Sequence, residues 1–136
     1  MHPNTFYRTV MRTSGRDDRA AAERTTAVVF ETLRKRLTVQ EAAQVAEQLP
    51  VPLKAVWGRG ETVRRTPIRM DLAEFCARVR GEADLESAAQ ARWATLGVFA
   101  ALKEQLSLGE GEDVFAQLPS DLKELWAEAQ AVPAQG

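Results

Sequence analysis

The sequence contains one helical pattern twice. Shifting the chain by 69 residues aligns positions 6–57 with 75–126 without a gap, and 17 of the 52 aligned positions are identical. Many of the identical positions are three or four residues apart, which places their side chains on one face of a helix. In the first copy this face consists of Ala22, Thr26, Val29, Phe30, Leu33 and Leu37. The repeat therefore predicts an all-α protein in which two similar units bury equivalent faces.

A capping signal precedes the third helix of each copy. Thr38 is followed three residues later by Glu41, and Ser107 is followed by Glu110. In such a capping box the hydroxyl accepts a hydrogen bond from the first helical turn, and the carboxylate reaches back to the backbone N–H of the cap. Both glutamates are thus predicted to serve their own helix.

Proline ends each third helix and opens a fourth. Pro50 and Pro119 lack the backbone N–H that a continuing helix needs, and they disfavour helical geometry at the residue before them. Short fourth helices are predicted over about 51–57 and 120–130. Each contains a tryptophan that we expect to close the core of its copy.

The first helices are expected to begin near Asn4 and Asp71, since both residue types cap helices well. Each copy then has four helices. A unit this small has too little core to bury its apolar face alone, so we expect two tandem four-helix repeats packed as one helical bundle-like domain. The expected organisation is repeat 1 at 4–57, an arginine-rich linker at 58–70, repeat 2 at 71–130 and a loose tail at 131–136.

Polar residues recur at matched positions as well. Glu41 and Gln48 of the first copy match Glu110 and Gln117 of the second, and each pair is separated by seven residues. Residues at this separation share one face of a helix. We expect them to make a polar contact between helices or to cap the loop before proline, which are structural roles.

The two halves of the chain carry opposite charge. Residues 1–70 contain 13 Lys and Arg against 7 Asp and Glu, whereas residues 71–136 contain 5 against 12. The balance is +6 in the first half and −7 in the second, which gives the net charge of −1. Opposite halves could attract within one molecule, pair between molecules or leave the first half for an anionic partner, and drift without any partner would give the same pattern.

Basic residues cluster in the linker and at the end of the second helix. They form the candidate surface for an anion or a partner: Arg34, Lys35, Arg36, Arg59, Arg64, Arg65 and Arg69. Such a surface could bind a phosphate backbone or an acidic protein. The same cations would also stabilise the carboxyl end of their own helix, and neither a recognition helix nor an aromatic platform accompanies them.

Residues that carry out acid–base or nucleophilic chemistry are scarce. The single histidine, His2, lies at the chain terminus, and the single cysteine, Cys76, lies on an apolar helix face with no histidine to activate it. Glu110, Glu112 and Asp113 are close in sequence, but carboxylates are favourable in any first helical turn. We therefore expect no enzyme, no metal site and no cofactor.

Four short segments resemble a known bacterial family. They are ETLRKRLT at 31–38, EAA at 41–43, EQLP at 47–50 and FAQLP at 115–119. On these segments the chain resembles the family called domain of unknown function 2267, over nearly its whole length. The resemblance implies a small helical protein with a duplicated unit, and it implies no activity, cofactor or catalytic residue.

These observations favour binding over catalysis. The longest apolar stretch, around 94–102, is much shorter than the roughly 20 residues of a membrane span, and no signal-peptide pattern opens the chain. We expect a cytoplasmic protein without membrane contact.

The leading hypothesis is a non-enzymatic interaction or scaffold module that binds an unknown protein or associates with itself. The alternative is an anion or nucleic-acid binder that uses the basic first half and linker. A third hypothesis is a helical pocket for a small apolar ligand, or an enzyme with unfamiliar carboxylate chemistry.

Overall fold

A computed structural model describes residues 3–15 and 17–130, and within these ranges the chain forms eight helices and no strand. This confirms the predicted all-α class. His2 and the tail at 131–136 lie outside the described residues. The helices are α1 (Pro3–Ser14), α2 (Arg19–Arg36), α3 (Val39–Glu47), α4 (Val51–Gly58), α5 (Leu72–Glu82), α6 (Ala88–Gln105), α7 (Leu108–Ala116) and α8 (Ser120–Glu128).

The helices of the two halves have matching bounds. Adding 69 to the bounds of α2 gives those of α6, and adding 69 to those of α3 gives those of α7. The other two pairs, α1 with α5 and α4 with α8, differ by one residue at one end. We refer to α1–α4 as the first half and to α5–α8 as the second half.

The helix starts agree with the sequence signals at three of four positions. The side chains of Thr38, Ser107 and Asp71 each accept a hydrogen bond from the backbone N–H three residues ahead. The prediction for Asn4 was wrong, because α1 begins at Pro3 and Asn4 lies inside it. Proline can open a helix without a capping side chain, since its φ angle already suits the first turn and it has no N–H to satisfy.

An aromatic triad occupies the centre of each half. In the first half the ring centroids of Phe6 and Phe30 are 5.7 Å apart, and those of Phe30 and Trp57 are 5.2 Å apart. The residues 69 positions later repeat this arrangement, with 5.8 Å between Phe75 and Phe99 and 5.1 Å between Phe99 and Trp126. All four pairs meet edge to face, a favourable geometry for aromatic rings.

The first helix of each half packs against the second helices of both halves. Helix α1 lies mainly along α6 and also contacts α2, whereas α5 packs mainly against α6 of its own half and also contacts α2. Gly97 on α6 allows the closest approach, because a Cβ atom there would lie 2.8 Å from the carbonyl oxygen of Val10 on α1. The buried apolar residues of both halves form one cluster, so the halves share a single core.

Candidate functional site

Two glutamines join the halves across the contact between α3 and α7. Oε1 of Gln117 accepts a hydrogen bond from the backbone N–H of Thr38 at 3.0 Å, and Oε1 of Gln48 accepts one from the N–H of Ser107 at 2.7 Å. Each half thus supplies the amide that caps a helix of the other. This confirms the prediction that these glutamines make a polar contact between helices.

The same exchange corrects half of the capping-box prediction. Glu41 and Glu110 do not reach back to the N–H groups of Thr38 and Ser107, because the glutamine of the opposite half already occupies each of them. Both glutamates are instead buried, with 7% and 6% of their surface exposed. Their carboxylates meet where the two helices face each other.

A cluster of oxygen atoms results at this contact. Carboxylate oxygens of Glu41, Glu110 and Asp113 lie within 4.8 Å of one another, and Asp113 is exposed. The amide nitrogen of Gln44, in the orientation that lets it donate, lies 3.3 Å from an oxygen of each glutamate. We call these four residues the carboxylate cluster.

The carboxylate cluster strongly changes the acidity of Glu110. Burial is the largest cause and raises the pKa of Glu110 to about 8. A hydrogen bond to the Glu41 carboxyl group and the negative charges of Glu41, Asp113 and Glu47 add to this rise in pKa. This rise in pKa favours the protonated form of the Glu110 carboxyl, which can donate a hydrogen bond to Glu41.

The sequence interpretation of this cluster was incomplete. It treated Glu110 and Asp113 as first-turn residues of α7 and did not bring Glu41 to them. The signal was present, because Glu41 and Glu110 are identical under the 69-residue shift and Gln44 aligns with Asp113. Matched polar residues meet when equivalent helix faces pack against each other, but the sequence does not state which faces do so.

An open apolar groove lies at the end of the second half. It is formed by the end of α6, α7 and α8, has a volume of about 480 Å³ and is lined mainly by Lys103, Leu106, Leu108, Gly111, Phe115 and Trp126. We call it the second-half groove. Leu108 is 82% exposed and Phe115 is also exposed, which is unusual for large apolar side chains next to each other.

The equivalent surface of the first half lies beside the linker. Lys103 aligns with Arg34, and the Arg34 guanidinium is covered, with 2% of the residue exposed. It donates to a carboxylate oxygen of Glu61 at 3.0 Å and to the carbonyl of Arg59 at 2.8 Å. Both acceptors belong to the chain after α4, so the linker closes the first-half surface.

Four further hydrogen bonds hold the linker in place. Arg65 donates to both Glu61 carboxylate oxygens, at 2.6 and 2.9 Å, and to the carbonyl of Leu37 at 2.6 Å. The backbone N–H of Ile68 donates to the carbonyl of Lys35 at 2.8 Å. These bonds satisfy carbonyl groups at the end of α2, which a helix leaves without partners of its own.

Lys103 in the second half lacks an equivalent carboxylate. Its Nζ atom donates to the carbonyls of Trp126 at 2.8 Å and of Ala129 at 2.9 Å, and no ion pair to it occurs among the described residues. Burial lowers the pKa of Lys103 from its usual value, because no carboxylate offsets the loss of water. The ammonium group has three donors, and the described residues supply acceptors for two of them.

The structure divides the seven basic residues named from the sequence. Arg34 and Arg65 point inward to Glu61, and Lys35 forms an exposed pair with Glu31 at 2.8 Å. Arg36 is half-buried. The side chains that remain exposed are those of Arg59, Arg64 and Arg69. The structure therefore does not bring all seven to one open surface.

The cysteine lies in the core. Cys76 on α5 is buried, and burial raises the pKa of its thiol above the usual value. A thiol with a raised pKa stays protonated at neutral pH and is a poor nucleophile. Its contacts are those of a small apolar side chain.

A model of a protein family matches residues 3–125, which is most of the chain and includes both the carboxylate cluster and most of the second-half groove. The family is described as "Uncharacterized conserved protein (DUF2267)". The chain belongs to the DUF2267 family. A search among curated proteins found no match to this DUF2267 protein. In the part of the chain that the structure describes, no helix combines the length and the apolar character that a membrane span requires.

Proposed function

We propose that this DUF2267 protein is a non-enzymatic interaction module whose second-half groove binds an extended segment of a partner protein. The segment that fits carries one acidic side chain followed by apolar residues. The observation that supports the proposal is the difference between the halves: the linker closes the surface beside α2, and the matching surface beside α6 is open and apolar.

The linker indicates the chemistry of the partner segment. On the first half, a carboxylate from Glu61 neutralises Arg34, and the chain continues without helix from 65 to 71. On the second half, the equivalent cation Lys103 has no carboxylate within ion-pair distance in the described chain. A partner carboxylate at this point would form a half-buried, charge-assisted hydrogen bond with Lys103, a stronger contact than a neutral one.

The groove itself favours apolar side chains with acidic flanks. Its exposed residues, Leu108 and Phe115, replace the smaller Val39 and Ala46 of the first half. Lys103 lies 5.7 Å from the ring centroid of Trp126, and Lys123 lies 5.4 Å from that of Phe115. Two cations therefore border an apolar surface, in a half that is otherwise acidic. This pattern selects a short acidic and apolar segment over a highly acidic one.

Peptide display on the full protein tests the proposal. A random library of extended peptides is selected on wild type, with the variant Leu108→Ser/Phe115→Ala as the counter-target. We expect selected peptides to carry Asp or Glu beside aliphatic or aromatic residues. Their Kd should rise by about tenfold or more in the Phe115→Ala variant, which loses a central apolar contact.

A matched control distinguishes peptide binding in the groove from non-specific binding to any exposed apolar side chain. Val63 lies in the linker and is 84% exposed, similar to Leu108, so Val63→Ser should leave peptide binding unchanged while Leu108→Ser weakens it. Replacing the peptide carboxylate by its amide should weaken binding to wild type and have little effect in Lys103→Met. The proposal fails if no peptide is enriched over the counter-target, or if the enriched peptides are insensitive to Lys103→Met.

Self-association is the competing occupant of this groove. If a second copy fills it, light scattering will show wild-type dimers that Leu108→Ser converts to monomers, and the partner-segment proposal is then wrong. A wild type that stays monomeric as its concentration rises supports the proposal. The cytoplasmic location expected from the sequence is part of this proposal, and fractionation of the native cell tests it.

Anion binding remains the second candidate, and it rests on the exposed Arg59, Arg64 and Arg69. Retention on heparin that falls with salt and is lost in Arg64→Ala/Arg69→Ala would favour it. Arg24→Ala/Arg78→Ala is a matched control, since both of these residues are exposed and lie outside the linker. Absence of retention at low salt would remove this candidate.

A further inference from the structure

The carboxylate cluster consists of two matched pairs on facing helices. Glu41 and Gln44 are three residues apart on α3, and Glu110 and Asp113 are three residues apart on α7. Residues at this spacing lie on the same side of a helix. Metal sites in helical proteins are commonly built in this way, from oxygen or nitrogen ligands that project from neighbouring helices.

One atom of the cluster has no partner. Glu110 is 94% buried, and its Oε2 atom is fully shielded from solvent and makes no hydrogen bond with any described residue. A buried oxygen without a donor is costly, since it has lost water and gained nothing in exchange. Its carboxylate lies in the cluster with Glu41 and Asp113. The amide of Gln44 donates to the other oxygen of Glu110 and to Glu41, and Nε2 of Gln117 donates to Glu41 at 3.5 Å, so Oε2 is the Glu110 oxygen left without a donor.

We propose that the carboxylate cluster binds a hard divalent cation, such as Ca²⁺ or Mg²⁺, between α3 and α7. Glu41, Glu110 and Asp113 each supply a carboxylate oxygen. Gln44 supplies a neutral oxygen after its side-chain amide turns by half a rotation. Water completes the coordination. The bound cation would tie together one helix from each half of the protein.

The chemistry and the dimensions fit this class of ion. Hard cations prefer carboxylate, amide and water oxygens, and Ca²⁺ binds them at about 2.3–2.6 Å. Two such ligands on opposite sides of the ion are therefore up to about 5 Å apart, and the three carboxylate oxygens lie within 4.8 Å of one another. Asp113 and Gln44 are exposed, which gives an ion a route from solvent to the buried glutamates.

A shared proton is the competing explanation of the same geometry. A proton between Glu41 and Glu110 would join the two glutamates, and the charge of Asp113 would favour it without forming a bond to it. A cation would require all three carboxylates and would respond to the loss of Asp113. The two explanations therefore differ at an exposed residue whose substitution should not affect folding.

Metal titration of the full protein decides between them. Chelator-treated protein is titrated with Ca²⁺ and with Mg²⁺ in a calorimeter, and with Mn²⁺ while the free-ion electron paramagnetic resonance signal is recorded. We expect saturable binding of one ion per chain. Asp113→Asn and Glu110→Gln should each raise its Kd by at least about tenfold. Glu112→Gln is the matched control, since Glu112 is an exposed neighbour on α7 outside the cluster.

Folding is monitored separately, because Glu110→Gln alters a buried residue. Circular dichroism of each variant establishes that it is helical, and Asp113→Asn keeps the test valid if Glu110→Gln does not fold. If none of the three ions binds at concentrations up to about 10 mM, the proposal is wrong and the shared proton explains the geometry. Binding that Asp113→Asn does not weaken, or that Glu112→Gln weakens equally, also overturns it.

Discussion

Glu61 shows how one side chain fixes a segment that lacks helix. Its carboxylate accepts hydrogen bonds from Arg34 and from Arg65, one cation on α2 and one in the linker. The hydrogen bond from Arg65 is the largest cause of a pKa lowered to about 2. The linker is therefore part of the folded structure, and its arginines serve the first half before they can serve any ligand.

Glu61→Gln should loosen the linker. The buried Arg34 would lose its counter-charge, and we expect the free energy of unfolding to fall by about 1.5–3 kcal/mol, the range for hydrogen bonds to charged groups. Limited proteolysis should cut between 59 and 68 faster than in wild type. Thr62→Ala is a suitable control, since its exposed side chain is adjacent and unpaired. Equal proteolysis of Glu61→Gln and wild type would contradict this account of the linker.

The pKa of Glu110 predicts how stability depends on pH in metal-free buffer. The native carboxyl titrates near 8, whereas an unperturbed carboxyl titrates at 4.5. Between these values the native state binds one proton more than the unfolded state, so the free energy of unfolding should fall as pH rises. The slope is at most about 1.4 kcal/mol per pH unit.

Glu110→Gln cannot titrate at this position and should remove that fall. Urea denaturation of both proteins with chelator present, at pH values between 5 and roughly 8.5, measures the difference. A wild-type stability that rises over this interval would show that the Glu110 carboxyl is ionised in the native state.

At the scale of single residues, the sequence identified the important positions better than it identified their partners. Capping by Thr38, Ser107 and Asp71 involves residues three positions apart, so it can be read from the chain. The meeting of Glu41 with Glu110 joins residues 69 positions apart, and its cause is helix packing. Contacts between residues close in sequence can be predicted from sequence patterns, whereas contacts between distant residues can be predicted only when the packing of the helices is known.

At the scale of helices, the close packing of α1 on α6 depends on one small residue. Gly97 of α6 aligns with Val28 of α2, so the two halves differ at this position. The glycine lets the α1 backbone approach α6 closely at Val10. The helices and their bounds could be predicted from periodicity, caps and prolines. The pairs of helices that pack together could not be predicted, because the two halves have similar apolar faces and the sequence does not distinguish between them.

Gly97→Ala should displace α1. The added methyl group would overlap the carbonyl of Val10, and overpacking of this kind costs about 1–3 kcal/mol. Gly81→Ala on α5 is the matched control, since a Cβ atom there meets nothing within 4 Å and alanine is the better helix former. Chemical denaturation should therefore show Gly97→Ala destabilised and Gly81→Ala unchanged or slightly stabilised. A stable Gly97→Ala variant would mean that α1 and α6 are not in close contact.

At the scale of the whole molecule, the halves complete each other in three ways. Their first helices each contact the second helix of the other half, their glutamines cap each other's third helices, and their apolar residues form one cluster. They differ at the surface beside the second helix, which the linker closes in the first half and which no residue up to 130 closes in the second. The proposed partner site follows from this difference, because the linker covers the surface in the first half and the equivalent surface in the second half is available for a partner.

Native-state hydrogen exchange of the intact wild-type protein tests this shared core directly. Amide exchange is followed by mass spectrometry at increasing urea below the unfolding transition, and the slowest amides of α2 and α6 are compared. We expect both to converge on one opening free energy with one urea dependence, because neither half keeps its core without the other. Two separate free energies, with one half exchanging while the other stays protected, would contradict it.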